Sequence, residues 1–74
     1  MKTLTVSADV AGSVWKIEVA VGDTVEADQD LMILESMKME IPATCAQGGV
    51  VRKILVEQGE AIAEGQSLLV IECP

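Results

Sequence analysis

The sequence predicts an all-β domain in which residues 1–74 form one flattened barrel or sandwich of two sheets. Three observations point to this fold class. The chain repeats itself at an offset of 37 residues, so that residues 12–35 align with 49–72 without a gap. Apolar residues follow strand patterns, and no segment keeps a helical stripe over three turns. Two copies of one repeat suggest a closed unit with an internal two-fold axis, each sheet taking strands from both halves.

The first strand is predicted around residues 3–6, where apolar and polar residues alternate. In each half, the next strand has apolar residues spaced three and then two positions apart, namely Val14, Ile17, Val19 and Val51, Ile54, Val56. A spacing of three interrupts the two-residue period of a strand, and a bulge or sharp bend is its usual cause. Because the interruption occurs in both halves, we expect a bulge or a sharp bend as a feature of both.

Turns and short strands fill the rest of each half. Turns are predicted at residues 22–23 and 59–60, very short strands at Val25 and Ile62, further turns at 28–29 and 65–66, and apolar strands at 31–34 and 68–71. The total is about eight strands. Gly65 aligns with Asp28, which predicts a positive φ at both positions, because glycine adopts it freely and aspartate better than most residues.

Composition narrows the possible functions. The net charge is −7, from 12 acidic and 5 basic residues, which disfavours nucleic acid and anionic membranes and favours a partner with a basic face. No stretch approaches membrane-spanning length and the N-terminus lacks an apolar signal core, so the expected location is the cytoplasm.

The residue types also argue against catalysis by this chain. There is no histidine, which excludes histidine-based acid–base or nucleophilic chemistry. Cys45 and Cys73 show no metal-ligand spacing and are expected to be reduced, partly buried thiols. We therefore predict no catalytic residue and no metal site.

One hairpin breaks the local rules that the rest of the chain follows. Strands Leu31–Glu35 and Met39–Ala43 flank a tight reversal at Met37-Lys38. Two-residue hairpin turns favour pairs such as Asn-Gly, because both central residues need a positive φ. An exposed turn whose residues do not suit its conformation is a place where function is expected. This singles out Lys38. The second copy of the repeat reaches the chain end at the equivalent point, so Lys38 is predicted to lie at the pole farthest from the termini.

Simpler interpretations of the hairpin remain open. Lys38 could be an ordinary exposed lysine, Met37 and Met39 could pack on the end of the barrel, and Glu35 and Glu40 could be solvated charges. Trp15 aligns with Arg52, so the symmetry requires no aromatic residue there, and it is expected to cover the sheet surface.

The segment Glu35-Ser36-Met37-Lys38-Met39-Glu40 resembles the Glu-Ala/Ser-Met-Lys-Met signature of biotinyl domains. The frame of glycines, valines and isoleucines around it resembles the biotinyl/lipoyl-attachment family along nearly the whole chain. Residues 12–16 and 40–42, together with the single-domain length, look most like the free-standing biotin/lipoyl attachment proteins. Met1-Lys2 favours a whole gene product.

This resemblance implies two four-stranded antiparallel sheets with quasi-two-fold symmetry, and biotin in amide linkage to Lys38. It implies a biotin protein ligase that uses ATP and biotin, recognising the flank Glu35, Ser36, Met37, Met39 and Glu40. It also implies a biotin carboxyl carrier that takes carboxybiotin from a biotin carboxylase to a carboxyltransferase. The chain would be a non-catalytic, monomeric carrier.

Two other functions share parts of this pattern. A lipoyl carrier, with lipoate on the lysine, has the same fold, but lipoyl domains usually read Asp-Lys-Ala where this chain has Met37-Lys38-Met39. An unmodified structural hairpin adaptor is the third possibility. Within the family, the gapless repeat leaves no room for the inserted thumb of the acetyl-CoA carboxylase carrier, which argues against that identity.

Overall fold

The structure, a computed structural model, describes residues 2–74 as eight β-strands joined by short turns. The strands are β1 (Lys2–Ser7), β2 (Gly12–Ile17), β3 (Thr24–Val25), β4 (Met32–Ser36), β5 (Met39–Ala43), β6 (Gly49–Ile54), β7 (Ala61–Ile62) and β8 (Ser67–Cys73). The described residues contain no helix that could cross a membrane. The predicted all-β class, the number of about eight strands and the very short strands at Val25 and Ile62 are confirmed.

The strands form two antiparallel sheets of four. The first has the order β1-β8-β6-β3 and the second the order β5-β4-β2-β7. Each strand of the first sheet has an equivalent in the second, 37 residues away in the sequence. The equivalent pairs are β1 and β5, β8 and β4, β6 and β2, and β3 and β7, and they follow the same order in the two sheets. Each sheet therefore takes strands from both halves, as the repeat predicts.

The two-fold relation extends to the register of the strands. Leu34 pairs with Ile41 in the second sheet, and Leu4 pairs with Ile71 at the equivalent place in the first. The predicted interruption of the strand period is present in both copies, and it is a bulge in each. The register shifts between Val14 and Lys16 in β2, and between Val51 and Lys53 in β6.

One apolar core fills the space between the sheets. Its most deeply buried side chains include two equivalent sets, one from β4 with the residue that precedes it and one from β8, namely Leu31, Met32, Leu34 and Leu68, Leu69, Ile71. Burying a side chain of this size stabilises a fold by about 1.5–3 kcal/mol. Cys45 and Cys73 are free thiols, and both are buried more completely than the sequence suggests, because they belong to this core.

The turns are fixed by the same side-chain contacts in both halves. Asp23 Oδ2 accepts a hydrogen bond from the Ala20 amide at 2.9 Å, and Glu60 does the same for the equivalent turn. Gln29 and Gln66 cap the next turn of each half. Asp28 has φ 63° and Gly65 has φ 86°, which confirms the predicted positive φ at both positions.

Candidate functional site

The hairpin of β4 and β5 ends in a two-residue turn formed by Met37 and Lys38. Ser36 and Met39 are the last paired residues below it. Met37 has φ 51° and Lys38 has φ 67°, so both central residues have the positive φ of a type I′ turn. Neither residue is glycine, and such conformations cost an ordinary L-residue about 1 kcal/mol or more each. The unfavourable turn chemistry predicted from the sequence is confirmed.

The tip of this hairpin is open to solvent. Lys38 is exposed, Met37 is 94% exposed and Met39 is 64% exposed. The alternative that the methionines pack on the end of the barrel is therefore wrong. Among the described residues the ion pairs are Lys16–Glu18 and Arg52–Glu72, so Lys38 belongs to neither. The amine stands free at the tip.

Two carboxylates face each other at the base of the turn. Glu35 and Glu40 are direct cross-strand partners, and both are exposed. Like charges in this position are destabilising. In the other sheet, the equivalent pair is Thr3 and Glu72, so only one acid is present there. Ser36, the remaining flank residue, is half-buried.

A glycine on the neighbouring strand lets β2 approach this base closely. A Cβ atom on Gly12 would collide with the backbone oxygen of Glu35, and one on Gly49 would collide with that of Glu72. The two strands therefore touch through their backbones, which supports the end of β4 from which the turn projects.

The chain ends occupy the position equivalent to the turn. Ser36 pairs with Met39 beneath the turn, and Cys73 pairs with Lys2 at the matching point of the first sheet. Of these two equivalent pairs, Ser36 and Met39 are joined by a two-residue turn, which Met37 and Lys38 form.

Lys38 is exposed, and two cavities of the domain lie away from it. One of about 60 Å³ lies beside Val6 and Pro42, and one of about 340 Å³ lies beside Arg52 and Glu72. Neither is lined by Lys38. The arrangement presents a primary amine on a supported hairpin to an outside active site, and does not surround a substrate.

The sequence identified the residues of this hairpin, but the pairing of Glu35 with Glu40 and the contact at Gly12 were not predicted. The signal for the pairing was present in the sequence. Glu35 lies two residues before Met37 and Glu40 lies two residues after Lys38, so a two-residue turn at Met37-Lys38 makes them cross-strand partners. For Gly12, the available signal was its identity with Gly49 in the repeat. The role of the flanking residues in ligase recognition stays a prediction.

Comparisons with known proteins agree with this geometry. A Biotin_lipoyl family model, described as biotin-requiring enzyme, matches residues 1–71. A biotin/lipoyl attachment protein of Bacillus subtilis is 44% identical over 66 residues, which cover 89% of this chain and 90% of that protein. A pyruvate carboxylase of Staphylococcus aureus is 42% identical over 67 residues, and there the chain spans only 6% of the longer protein.

A solved structure shows the same fold. The urea carboxylase of Kluyveromyces lactis superposes with a TM-score of 0.91 at 33% identity, over 97% of this chain and 6% of that one. The repeat, the paired sheets and the Met-Lys-Met turn therefore have one common explanation: the chain belongs to the biotinyl/lipoyl-attachment family.

Proposed function

We propose that this chain is a single-domain biotin carboxyl carrier with biotin in amide linkage to Nζ of Lys38. The observation that carries the proposal is the exposed, unpaired lysine at the tip of a supported turn. The residues suit the group, because a primary amine forms a stable amide and no wall of the domain blocks access to it. The amide would form when the amine displaces AMP from the activated carboxyl of biotin on a biotin protein ligase.

The chain itself supplies presentation and reach. The lysine stem and the five-carbon chain of biotin together span on the order of 14 Å from ordinary bond lengths. Attached biotin would carry a carboxyl group from a biotin carboxylase to a carboxyltransferase. Such a tether gives a high effective concentration near both sites and requires no affinity for either product.

The flanking residues have separate proposed roles. Met37 and Met39 offer flexible apolar surface that can adapt to a ligase. Glu35 and Glu40 form a local negative charge that would attract a basic ligase cleft. We further propose that the chain acts as a monomer, in the cytoplasm, and as a substrate and carrier with no catalytic step of its own.

Biotin is favoured over lipoate because Met39 follows the lysine, where lipoyl domains usually have alanine. Intact mass decides between the two groups. Protein isolated from cells supplied with both cofactors should gain the mass of one biotinyl group and bind streptavidin. A lipoyl mass in its place would contradict the choice of biotin.

The attachment site is tested by removing the amine while keeping the charge. Lys38→Arg should abolish the mass gain and the streptavidin signal. Lys53→Arg is the matched control, since Lys53 is an exposed lysine on β6, and it should keep both signals. A modification that survives in Lys38→Arg would place the group elsewhere.

A further inference from the structure

Trp15 is the only aromatic residue of the chain, and it lies outside the hydrophobic core. It lies at the bulge of β2, between Val14, which pairs with Leu34, and Lys16, which pairs with Ile33. Val14 is buried, whereas Trp15 is 49% exposed. The indole therefore lies on the outer side of the sheet that carries the hairpin.

The other half of the molecule shows what the side chain at the bulge equivalent to Trp15 contacts. Arg52 lies at the equivalent bulge, and its Nε donates a hydrogen bond to Glu72 Oε1 at 2.6 Å. Glu72 is the counterpart of Glu35. Trp15 occupies the equivalent bulge position of the second sheet, and the strand beside it carries Glu35. An indole cannot neutralise that carboxylate, so the tryptophan does not do what the arginine does.

Exposed apolar surface is concentrated at this end of the sheet. Among the described residues, five large hydrophobic side chains are exposed, and three of them are Trp15, Met37 and Met39. Their counterparts in the other half are Arg52, Pro74 and Lys2. The two halves therefore differ at this end, and the apolar side chains lie in the half of the molecule that carries Lys38.

The indole lies within reach of a group attached to Lys38. The pairing of Ser13 with Glu35 fixes the level of Trp15 along β4. Strands rise by about 3.3 Å per residue and lie about 4.8 Å apart, so the Cα atoms of Trp15 and Lys38 are about 12 Å apart. The tether of on the order of 14 Å is long enough for the attached ring system to fold back onto the indole.

We propose that the indole face of Trp15 is a resting site for the ring system of biotin attached to Lys38. This inference rests on the proposed function. A tethered group has an effective concentration of about millimolar, so a contact with a millimolar dissociation constant keeps it docked about half of the time. Biotin in amide linkage is uncharged, so the Glu35 and Glu40 carboxylates do not repel it.

The test uses Trp15 as the sole fluorophore of the whole protein. Unmodified protein and protein fully biotinylated by a ligase, each verified by intact mass, are compared by acrylamide quenching of tryptophan emission. Docking for half of the time should lower the quenching constant about twofold. Lys38→Arg taken through the same ligase reaction should show no change.

The symmetry provides a matched control. The double variant W15R/R52W moves the fluorophore to the equivalent bulge of the other sheet, away from the hairpin, and restores an arginine beside Glu35. Its quenching should be unaffected by biotinylation. A drop of the same size in this variant would overturn the assignment to Trp15.

The outcomes separate this inference from the proposed function. Full modification with unchanged quenching of wild-type protein would overturn the resting site alone. Failure of the ligase to modify Lys38 would overturn both. The wild-type comparison keeps the inference falsifiable if the double variant does not fold, which circular dichroism would reveal.

Discussion

At the residue scale, three non-glycine residues among residues 2–74 adopt a positive φ: Asp28, Met37 and Lys38. Asp28 lies in a turn whose counterpart is Gly65, so the molecule itself shows which residue suits this backbone. The turn of Met37 and Lys38 requires a positive φ at both positions and contains no glycine. The turn keeps two residues that its conformation disfavours, and the proposed attachment of biotin would require one of them, Lys38.

Asp28→Gly should leave the free energy of unfolding unchanged or raise it by a few tenths to about 1 kcal/mol, because glycine adopts φ 63° without steric cost. The measurement is the urea midpoint. Asp28→Asn is the control for charge, since it removes the carboxylate and keeps a side chain that tolerates this conformation. A clear fall in the midpoint of the glycine variant would show that the aspartate side chain stabilises the turn.

At the element scale, the four edge strands of the two sheets differ in how they are protected against pairing with other chains. β3 and β7 have only two residues each, and short edges pair poorly. β5 carries Pro42, which lacks the N–H that an added strand would need. β1 has Thr5 at the equivalent position and no proline.

Because Pro42 is accommodated on β5, Thr5→Pro should change the free energy of unfolding by no more than about 1 kcal/mol. Val70→Pro is the matched contrast: Val70 pairs with both Thr5 and Lys53 in the interior of the sheet, and proline there should cost about 3 kcal/mol or more. Urea unfolding measures both. A loss of stability in Thr5→Pro as large as that in Val70→Pro would show that β1 does not accommodate proline as β5 does.

At the scale of the whole molecule, negative charge exceeds what the ion pairs can compensate. The net charge is −7, and the ion pairs among residues 2–74 are Lys16–Glu18 and Arg52–Glu72, both on the surface. Exposed pairs of this kind contribute little. Repulsion among the acidic residues therefore opposes the compact state.

Salt should stabilise the protein by screening this repulsion. Raising NaCl from about 10 mM to about 0.5 M shortens the Debye length from about 30 Å to a few ångströms, and Tm should rise by a few degrees. Circular dichroism measures the transition. A variant with Glu57→Gln and Glu64→Gln, both exposed residues, should show a smaller rise. A constant or falling Tm would contradict the role of repulsion.

Much of the fold and of the site could be predicted from the sequence. The repeat predicted that both sheets share strands from the two halves, and the spacing of Val14, Ile17 and Val19 predicted the bulge. The position of Lys38 at a strained two-residue turn followed from residue types alone. These features are encoded locally, because strand period, turn propensity and repeat offset are written in consecutive residues.

The tertiary structure decided what depends on contact between distant segments. Only the closed sheets show that Glu72 is paired with Arg52 whereas Glu35 belongs to neither ion pair of residues 2–74, and that Gly12 is needed where two backbones meet. Only the folded hairpin shows that Met39 faces solvent and does not pack on the domain. The repeat makes the two halves equivalent in backbone, and the identity of the side chains that meet across strands makes one end of the molecule different from the other.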